Sequence, residues 1–363
     1  MSQSIPDTTQ IPLLEGDPRA SARPLFFVIL LIAPMALFVM ILMIGSIPIP
    51  AAEALRFLFG LELESATSAT ILWELRLPRA ITALVCGAAL GAAGLQLQTL
   101  FRNPLAGPWA LGLTGGAQLG VALVVATGAV VSSATLERLT FLSELGIVAG
   151  AVLGAGAVAI MVAGISRHVS TMTLLIVGLM LGYLAEGLVS IVLHFTTEVQ
   201  GRVFASWNNG SFAGVQWQHF PILLPCLLAG LMLALGLVKP LNALLLGESY
   251  ATSLGLPVDR ARLIVLTGAV LLAAPVTAYC GPVLFVGIIV PHMARGLLNS
   301  SDHRLLMPAA MLLGATLCLA ADLFVHLPWE RHFLHLNAVN AAIGAPFVIW
   351  LLMRNRNLRA MNI

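Results

Sequence analysis

The stretch RLPRAITALVCGAALGAAGLQLQ at residues 76–98 decides the fold class of this chain. After Arg79 it carries no charged side chain, and the uncharged run continues to Phe101. At a rise of about 1.5 Å per residue, about 20 apolar residues cross the roughly 30 Å hydrocarbon core of a membrane. The whole chain shares this character, because 59% of its 363 residues are hydrophobic and only 9% are charged. Since a soluble domain carries roughly 25% charged residues, the sequence predicts a membrane protein.

Charge-free runs along the chain predict an all-α fold with about ten membrane-spanning helices. Gly281-Pro282 divides the long run 263–294 into two helices, because this pair interrupts a helix. The run 168–185 reaches an ordinary helix length when it is extended through Glu186 to about His194. The remaining runs are 24–52, 80–101, 103–136, 145–166, 203–238, 305–321 and 332–353.

Polar segments flank this membrane domain, which is predicted to span residues 24–353. Residues 1–23 are polar and contain several prolines and acidic side chains, so we expect a disordered tail. Residues 354–363 form a second short tail. With ten spans, most basic residues fall on the side that holds both tails, and the positive-inside rule places both termini in the cytoplasm.

Several classes of function are excluded by what the chain lacks. Lys239, the only lysine, precedes Pro240 instead of ending a G-x-x-x-x-G-K-[ST] loop, so the chain has no ATP-binding P-loop. A net charge of +2 without a basic stripe argues against nucleic acid. The four cysteines lie in apolar runs, which indicates neither a disulfide framework nor a metal site, and no other pattern points to a cofactor or to enzymatic activity. If ATP drives the protein, a separate subunit must bind the nucleotide.

Several motifs in a fixed order resemble the FecCD family, the permease subunits of bacterial ABC importers for iron chelates, haem and vitamin B12. The resemblance covers about residues 70–353. It rests on RLPR at 76–79, FRNPLAGPWALGLTGGAQLG at 101–120, LLLGESYATSLGLPVDRAR at 244–262, GPVLFVGIIVPHMARGLL at 281–298 and IGAPFVIWLL at 343–352.

The resemblance implies a permease with the type II ABC importer fold, located in the bacterial inner membrane. Its expected partners are two copies of an ABC ATPase, a periplasmic substrate-binding protein, membrane lipid and a second copy of the chain. A ferric siderophore is the first expected cargo, with haem and vitamin B12 as alternatives. An ion-coupled secondary transporter is the alternative of another class, with Glu186 and Asp322 as the candidate intramembrane carboxylates.

Arginines at the outer side are the predicted docking residues for the binding protein. Arg76 and Arg79 begin the second span on the side that the positive-inside rule disfavours, and guanidinium groups pair well with carboxylates. The resemblance assigns them to acidic residues of the binding protein, while contact with lipid phosphate is the alternative. Arg331 is a possible third member, because His326 stands where the family usually has an arginine.

The coupling segment, residues 239–262, is the longest polar stretch predicted on the inner side. It contains a helix-like run from Glu248 to Leu254 that Gly255 ends, which is typical of a short exposed helix. By resemblance this helix fits a cleft on the ATPase, with Glu248, Ser249 and Gly255 at its centre.

The predicted translocation path contains Glu186, Trp207 and Gly214. A carboxylate at bilayer depth costs on the order of 2.5–3.5 kcal/mol and usually faces a cavity or a partner. We therefore expect Glu186 to line the path, with a protonated or hydrogen-bonded core position as the alternative. By resemblance, the segment from Trp207 to Gly214 belongs to a short helix and gate beneath the binding protein.

The outer loop HLPWERHFLHL at 326–336 contains three histidines, His326, His332 and His335. They could bind a metal, but a docking loop is the favoured interpretation. Just after it, the family's usual Pro-x-Gly before the last helix is replaced by His335-Leu336-Asn337.

Overall fold

Every regular element in the described part of the chain is a helix, as the charge-free runs predict. The computed structural model describes residues 23–127, 136–166, 168–328 and 334–360. The predicted tail at 1–22, Arg331 and His332 therefore lie outside the described residues. The helices are α1 Arg23–Met43, α2 Ala51–Leu58, α3 Ala66–Thr70, α4 Leu77–Leu100, α5 Leu113–Ala126, α6 Leu136–Ile165, α7 Thr171–His194, α8 Glu198–Asn208, α9 Phe220–Gly236, α10 Val238–Leu245, α11 Glu248–Ser253, α12 Val258–Cys280, α13 Val286–Leu298, α14 His303–Val325 and α15 Leu336–Ala360.

The prediction of about ten membrane helices is confirmed. Within the described ranges, seven helical segments are long and apolar enough to cross a membrane, and α3 and α4 form one of them through the π-helical turns Ile71–Arg76. Three shorter apolar helices, α5, α13 and the first part of α15, complete the set. The last helix continues to Ala360, beyond the predicted end of the membrane domain at residue 353.

The run 103–136 gives a shorter helix than predicted. Within its described residues 103–127, the α-helix covers Leu113–Ala126, and the 3₁₀ turn Pro108–Leu111 precedes it. Gly112 separates the two with a φ of 72°, a conformation that glycine adopts without steric cost. The apolar composition predicts a segment that suits the membrane, but it does not show that the described backbone is α-helical over only part of the run.

The break predicted at Gly281-Pro282 is confirmed. Helix α12 ends at Cys280, Gly281 has a φ of 71°, and α13 begins at Val286. The segment between them, residues 281–285, is called the interhelical break below.

Helix α4 lies at the centre of the bundle and packs against α12, α13 and α14. Its glycines allow close approach of backbones: Gly87 contacts the carbonyl of Gly314, and Gly91 contacts that of Ala310. Helices α5 and α6 meet through a second glycine series in which Gly116 and Gly120 face Gly154 and Gly150. Without a hydrophobic driving force in lipid, such close contacts supply the packing energy of the bundle.

The direction of helix α4 defines two ends of the molecule. Helix α4 runs from Leu77 to Leu100, beyond which Arg102 donates a hydrogen bond to the carbonyl of Leu245 in the coupling segment, at 3.1 Å. The end that holds the coupling segment is called the coupling end. Helix α8, the interhelical break and the first turn of α4 lie at the opposite end.

Candidate functional site

The short helix predicted in the coupling segment is confirmed as α11. Gly247, with a φ of 111°, precedes it, and Gly255, with a φ of 83°, follows it. Ser249 and Gly255 are exposed, so the two residues are available to a partner.

The structure also reveals an apolar stripe beside these residues that sequence reasoning missed. Leu246, Tyr250 and Leu254 are 61%, 51% and 60% exposed, respectively. Tyr250 and Leu254 are four residues apart and lie on one face of α11, while Leu246 follows α10 and is separated from α11 by Gly247. The spacing was visible in the sequence, but only the structure shows that this face is uncovered at the coupling end.

Glu248 is held by contacts within the chain. Its Oε1 accepts hydrogen bonds from the Thr171 hydroxyl at 2.6 Å and from Arg262 Nη2 at 2.9 Å. Partial burial raises the pKa of Glu248, but the Thr171 hydrogen bond and the Arg262 hydrogen bond and charge outweigh it, so its pKa lies below the ordinary value. Glu248 therefore links α11 to the first turn of α7 and to α12.

Arg262 extends these contacts to the connection between α6 and α7. Its side chain is 8% exposed, and its Nη1 donates to the carbonyls of Ser166 at 2.8 Å and Val169 at 3.3 Å. These carbonyls belong to the connection between α6 and α7. Arg262 and Glu248 thus join α11 to α12 and to the connection that leads into α7, the helix that carries Glu186.

A second linkage joins α10 to α14 and α4. The Asn242 side chain donates to Asp302 Oδ1 at 2.6 Å and accepts from the His303 backbone N–H at 2.9 Å. His303 Nε2 lies 2.7 Å from the Thr99 hydroxyl on α4. Hydrogen bonds from the Arg304 backbone N–H and Asn242 lower the pKa of Asp302, which caps α14.

Arg76 and Arg79 lie at the opposite end from the coupling segment, but their predicted surface exposure is wrong. Arg76 is 4% exposed, and it donates hydrogen bonds to the carbonyls of Leu42, at 2.7 Å, and Ile47. Arg79 forms an ion pair of 3.1 Å with Asp322 of α14. Both guanidinium groups connect helices because buried carbonyls and a carboxylate compete successfully with solvent for them.

The two described histidines of the outer loop, His326 and His335, have different partners. His326 contacts Asp322 through Nδ1, which lies 3.4 Å from the carboxylate, while His335 lies 3.4 Å from Asn209. No group of three or more metal-ligating side chains occurs in the described ranges.

Trp207 and Gly214 line one cleft. The cleft has a volume of about 440 Å³ and lies between α8 and the Cys280 end of α12. Trp207 Nε1 donates to the Ala278 carbonyl at 3.3 Å. Polar groups of the cleft wall include Ser206, Ser211 and Tyr279.

Glu186 does not line this cleft in the single chain. It lies on an exposed face of α7 with Tyr183 and Leu184, about 12 Å from the His194 end of the helix. No residue in the described part of the chain pairs with its carboxylate. The alternative of a hydrogen-bonded core position is therefore wrong for this conformation.

Comparison with known proteins agrees with this architecture. Residues 30–354 match the profile of the FecCD transport family. The chain is 35% identical over 299 residues to the vitamin B12 import system permease protein BtuC of Klebsiella pneumoniae subsp. pneumoniae, covering 80% of this chain and 85% of that protein. It is 34% identical over 284 residues to BtuC of Escherichia coli O9:H4, covering 78% and 84%.

A solved structure shares the fold as well. It is described as an inward-facing conformation of a metal-chelate type ABC transporter, and it matches with a TM-score of 0.78 and 28% identity over 91% of this chain and 99% of that one. The family match spans the ten membrane helices, the coupling segment and the interhelical break together. The chain is therefore a multi-pass ABC importer permease that belongs to the FecCD transport family.

Proposed function

We propose that this chain is the membrane subunit of a binding-protein-dependent importer in a bacterial inner membrane, with both termini in the cytoplasm. Two copies pair around a central path, and two ATPase subunits dock at the coupling end. ATP binding and hydrolysis occur on those partners, and they shift the paired permease between outward-open and inward-open states. The observation that carries this proposal is the coupling segment, which exposes a docking face and is tied internally to the membrane helices.

The proposed ATPase contact consists of the exposed apolar stripe with Ser249 and Gly255 beside it. Three exposed apolar side chains, two of them on one face of α11, suit insertion into a groove. Glu248 serves the same contact from within, because its bonds to Thr171 and Arg262 hold α11 in place. Binding of the ATPase at the stripe would therefore also act on α7, through the hydrogen bond between Glu248 and Thr171.

Co-purification of the cognate ATPase tests this contact. The double substitution Tyr250→Ala and Leu254→Ala should abolish recovery of the ATPase with the permease, since it removes two anchors of the stripe. Asp259→Ala, an exposed position nearby on α12, is the matched control and should leave recovery unchanged. Full recovery with the double variant would refute the proposed docking face.

The exposed carboxylate of Glu186 supports pairing of two copies. In an isolated chain this side chain would face hydrocarbon at a cost on the order of 2.5–3.5 kcal/mol, whereas a water-filled path between two chains removes that cost. Glu186 would then bias the path toward neutral or cationic cargo. Glu186→Gln should alter the transport rate without lowering the yield of folded protein; an unchanged rate in reconstituted vesicles would refute this role.

On the outer face, we propose that Arg76 and Arg79 serve binding-protein docking indirectly, while Arg331 makes direct contact. The first two hold the ends of α1, α4 and α14 together through Leu42 and Asp322. The shape of the outer surface thus depends on them even though their guanidinium groups are buried.

The proposed cargo is a metal chelate, and two candidates have specific support. The vitamin B12 permeases among the relatives favour a corrinoid. The family resemblance and the metal-chelate transporter of matching fold favour a ferric siderophore, with haem as a further member of the class.

Binding by the cognate binding protein decides between these candidates. The protein is captured with the reconstituted permease–ATPase complex and titrated with cyanocobalamin, a ferric siderophore and haemin. Tight binding of one ligand identifies the cargo, and absence of binding to all three refutes the metal-chelate class. Uptake that is insensitive to vanadate would instead favour an ion-coupled transporter.

A further inference from the structure

The interhelical break leaves backbone groups without helical partners in a segment that is buried or half-buried. Such groups must find partners inside the protein, because an unpaired buried backbone group costs about as much free energy as a lost hydrogen bond. One of them, the Cys280 carbonyl, accepts a hydrogen bond from the Ser211 backbone N–H at 2.8 Å. The carbonyl of Pro282 and the N–H of Leu284 remain to be satisfied.

Asn337, in the first turn of α15, satisfies both groups. Its Nδ2 donates to the Pro282 carbonyl at 2.8 Å, and its Oδ1 accepts from the Leu284 N–H at 3.1 Å. The same Nδ2 lies 3.2 Å from the Asn208 carbonyl at the end of α8. A side-chain amide has two donors and one acceptor site in this arrangement, and all three are used.

The backbone of Asn337 strengthens the junction. Its N–H donates to the Asn209 carbonyl at 3.2 Å, immediately after α8. Gly210, with a φ of 73°, packs so closely there that a Cβ would lie 2.8 Å from the Pro282 carbonyl oxygen and 3.2 Å from Asn337 Nδ2. One residue thus joins three elements: the end of α8, the interhelical break and the start of α15.

We propose that Asn337 is a positioning residue that latches α8 over the cleft and so controls access from the outer side. This inference rests on the proposed path role of Trp207 and Gly214. Ala278 lines the same cleft, yet it is only 1% exposed, because it belongs to one apolar cluster with Phe204 and Trp207 of α8. Release of the latch should uncover a thiol placed there by Ala278→Cys, because the Trp207 hydrogen bond to the Ala278 carbonyl moves with the end of α8.

Asn340 provides a matched control on the same helix. It lies about one turn farther along α15 and is 4% exposed, but its Nδ2 has no hydrogen-bond partner among the described residues. It is therefore a buried asparagine of the same helix that makes no link to α8.

The experiment measures the rate at which a membrane-impermeant maleimide, added from the outer side, labels the thiol of Ala278→Cys, in a Cys280→Ala background, in the reconstituted nucleotide-free complex. Peptide mass spectrometry separates this thiol from Cys318, which is fully buried in α14 and reports general unfolding. Asn337→Leu should raise labelling at position 278 about tenfold, and Asn337→Asp, which loses both donors and sets a carboxylate against the Asn208 and Pro282 carbonyls, should give a similar rise. Labelling of Cys318 should stay unchanged in both variants.

Two outcomes would overturn the latch. Labelling of the Ala278→Cys thiol in Asn337→Leu at the rate seen with Asn340→Leu or with native Asn337 would show that the contacts do not hold α8. An equal rise at Cys318 would show that Asn337 only stabilises the fold. If Asn337→Leu does not fold, Asn337→Asp decides alone by the same criteria. The path role is tested separately: a maleimide on Gly214→Cys that leaves uptake unchanged refutes that role without affecting the labelling result.

Discussion

The ion pair between Arg79 and Asp322 predicts a large and partner-dependent loss of stability. The two side chains are 11% and 2% exposed, and they join α4 to α14 at 3.1 Å. Removing one member of a buried pair leaves an uncompensated charge, which costs about 3–5 kcal/mol. Replacing both with apolar groups removes both charges and is often neutral or stabilising.

The neighbouring His326 makes the stability costs of the two single substitutions unequal. In Arg79→Met, Asp322 keeps one neighbouring polar group, because His326 Nδ1 lies 3.4 Å from its carboxylate. In Asp322→Leu, Arg79 loses its only ion-pair partner in the described part of the chain. We therefore expect the free energy of unfolding to fall by about 3 kcal/mol in Arg79→Met and by about 5 kcal/mol in Asp322→Leu. In the double variant it should fall by less than about 2 kcal/mol.

Unfolding of the purified permease in mixed micelles, followed as SDS is added, measures these free energies. The affinity of the cognate binding protein for the folded double variant is measured in parallel. A role through helix positioning predicts that this variant retains binding, whereas direct docking by Arg79 predicts a loss. Additive costs of the two single substitutions, with coupling below about 0.5 kcal/mol, would refute the ion pair as an energetic link.

Three further predictions concern the packing and the linkages of the membrane domain. Gly94→Val should cost about 3 kcal/mol or more, because its added Cβ would collide with the backbone of Gly287, while Gly156→Val, with open space around it, should cost little. Asn242→Ala should lower the free energy of unfolding by about 2–3 kcal/mol, because it removes the bonds to Asp302 and His303. The stabilising effect of Glu248 relative to Glu248→Gln should be constant above its ordinary pKa and disappear as pH falls through its lowered pKa.

The same SDS unfolding assay checks all three predictions. Equal losses for the two glycine substitutions would contradict close packing as the cause. An Asn242→Ala variant as stable as the unchanged protein would show that the linkage to α14 carries no energy. For Glu248, the sign is set by its depressed pKa: the unfolded chain binds the proton first as pH falls, so stability must decrease toward acid. A difference between Glu248 and Glu248→Gln that grew on acidification would contradict the assignment.

Structural features that depend on residues adjacent in the sequence were predictable from the sequence alone. The break at Gly281-Pro282 and the end of α11 at Gly255 follow from local backbone chemistry, and both were confirmed. The apolar runs likewise predicted the membrane helices, because hydrocarbon imposes the same length requirement on each span. The first residue of α5 was less predictable, since Pro108 begins a 3₁₀ turn and Gly112 takes a left-handed conformation within an apolar run.

The sequence by itself determined the membrane class, the helix number, the coupling segment and the family, because each of these is written in contiguous motifs. Only the tertiary structure decided where the charged and amide groups point. Arg76 reaches a carbonyl 34 residues away, and Asn337 reaches one 55 residues away. A buried polar group must take whichever partner the fold brings near it, and no local pattern specifies that partner. For this reason two arginines expected at the surface connect helices, and an asparagine that breaks the family pattern joins α8 to the interhelical break.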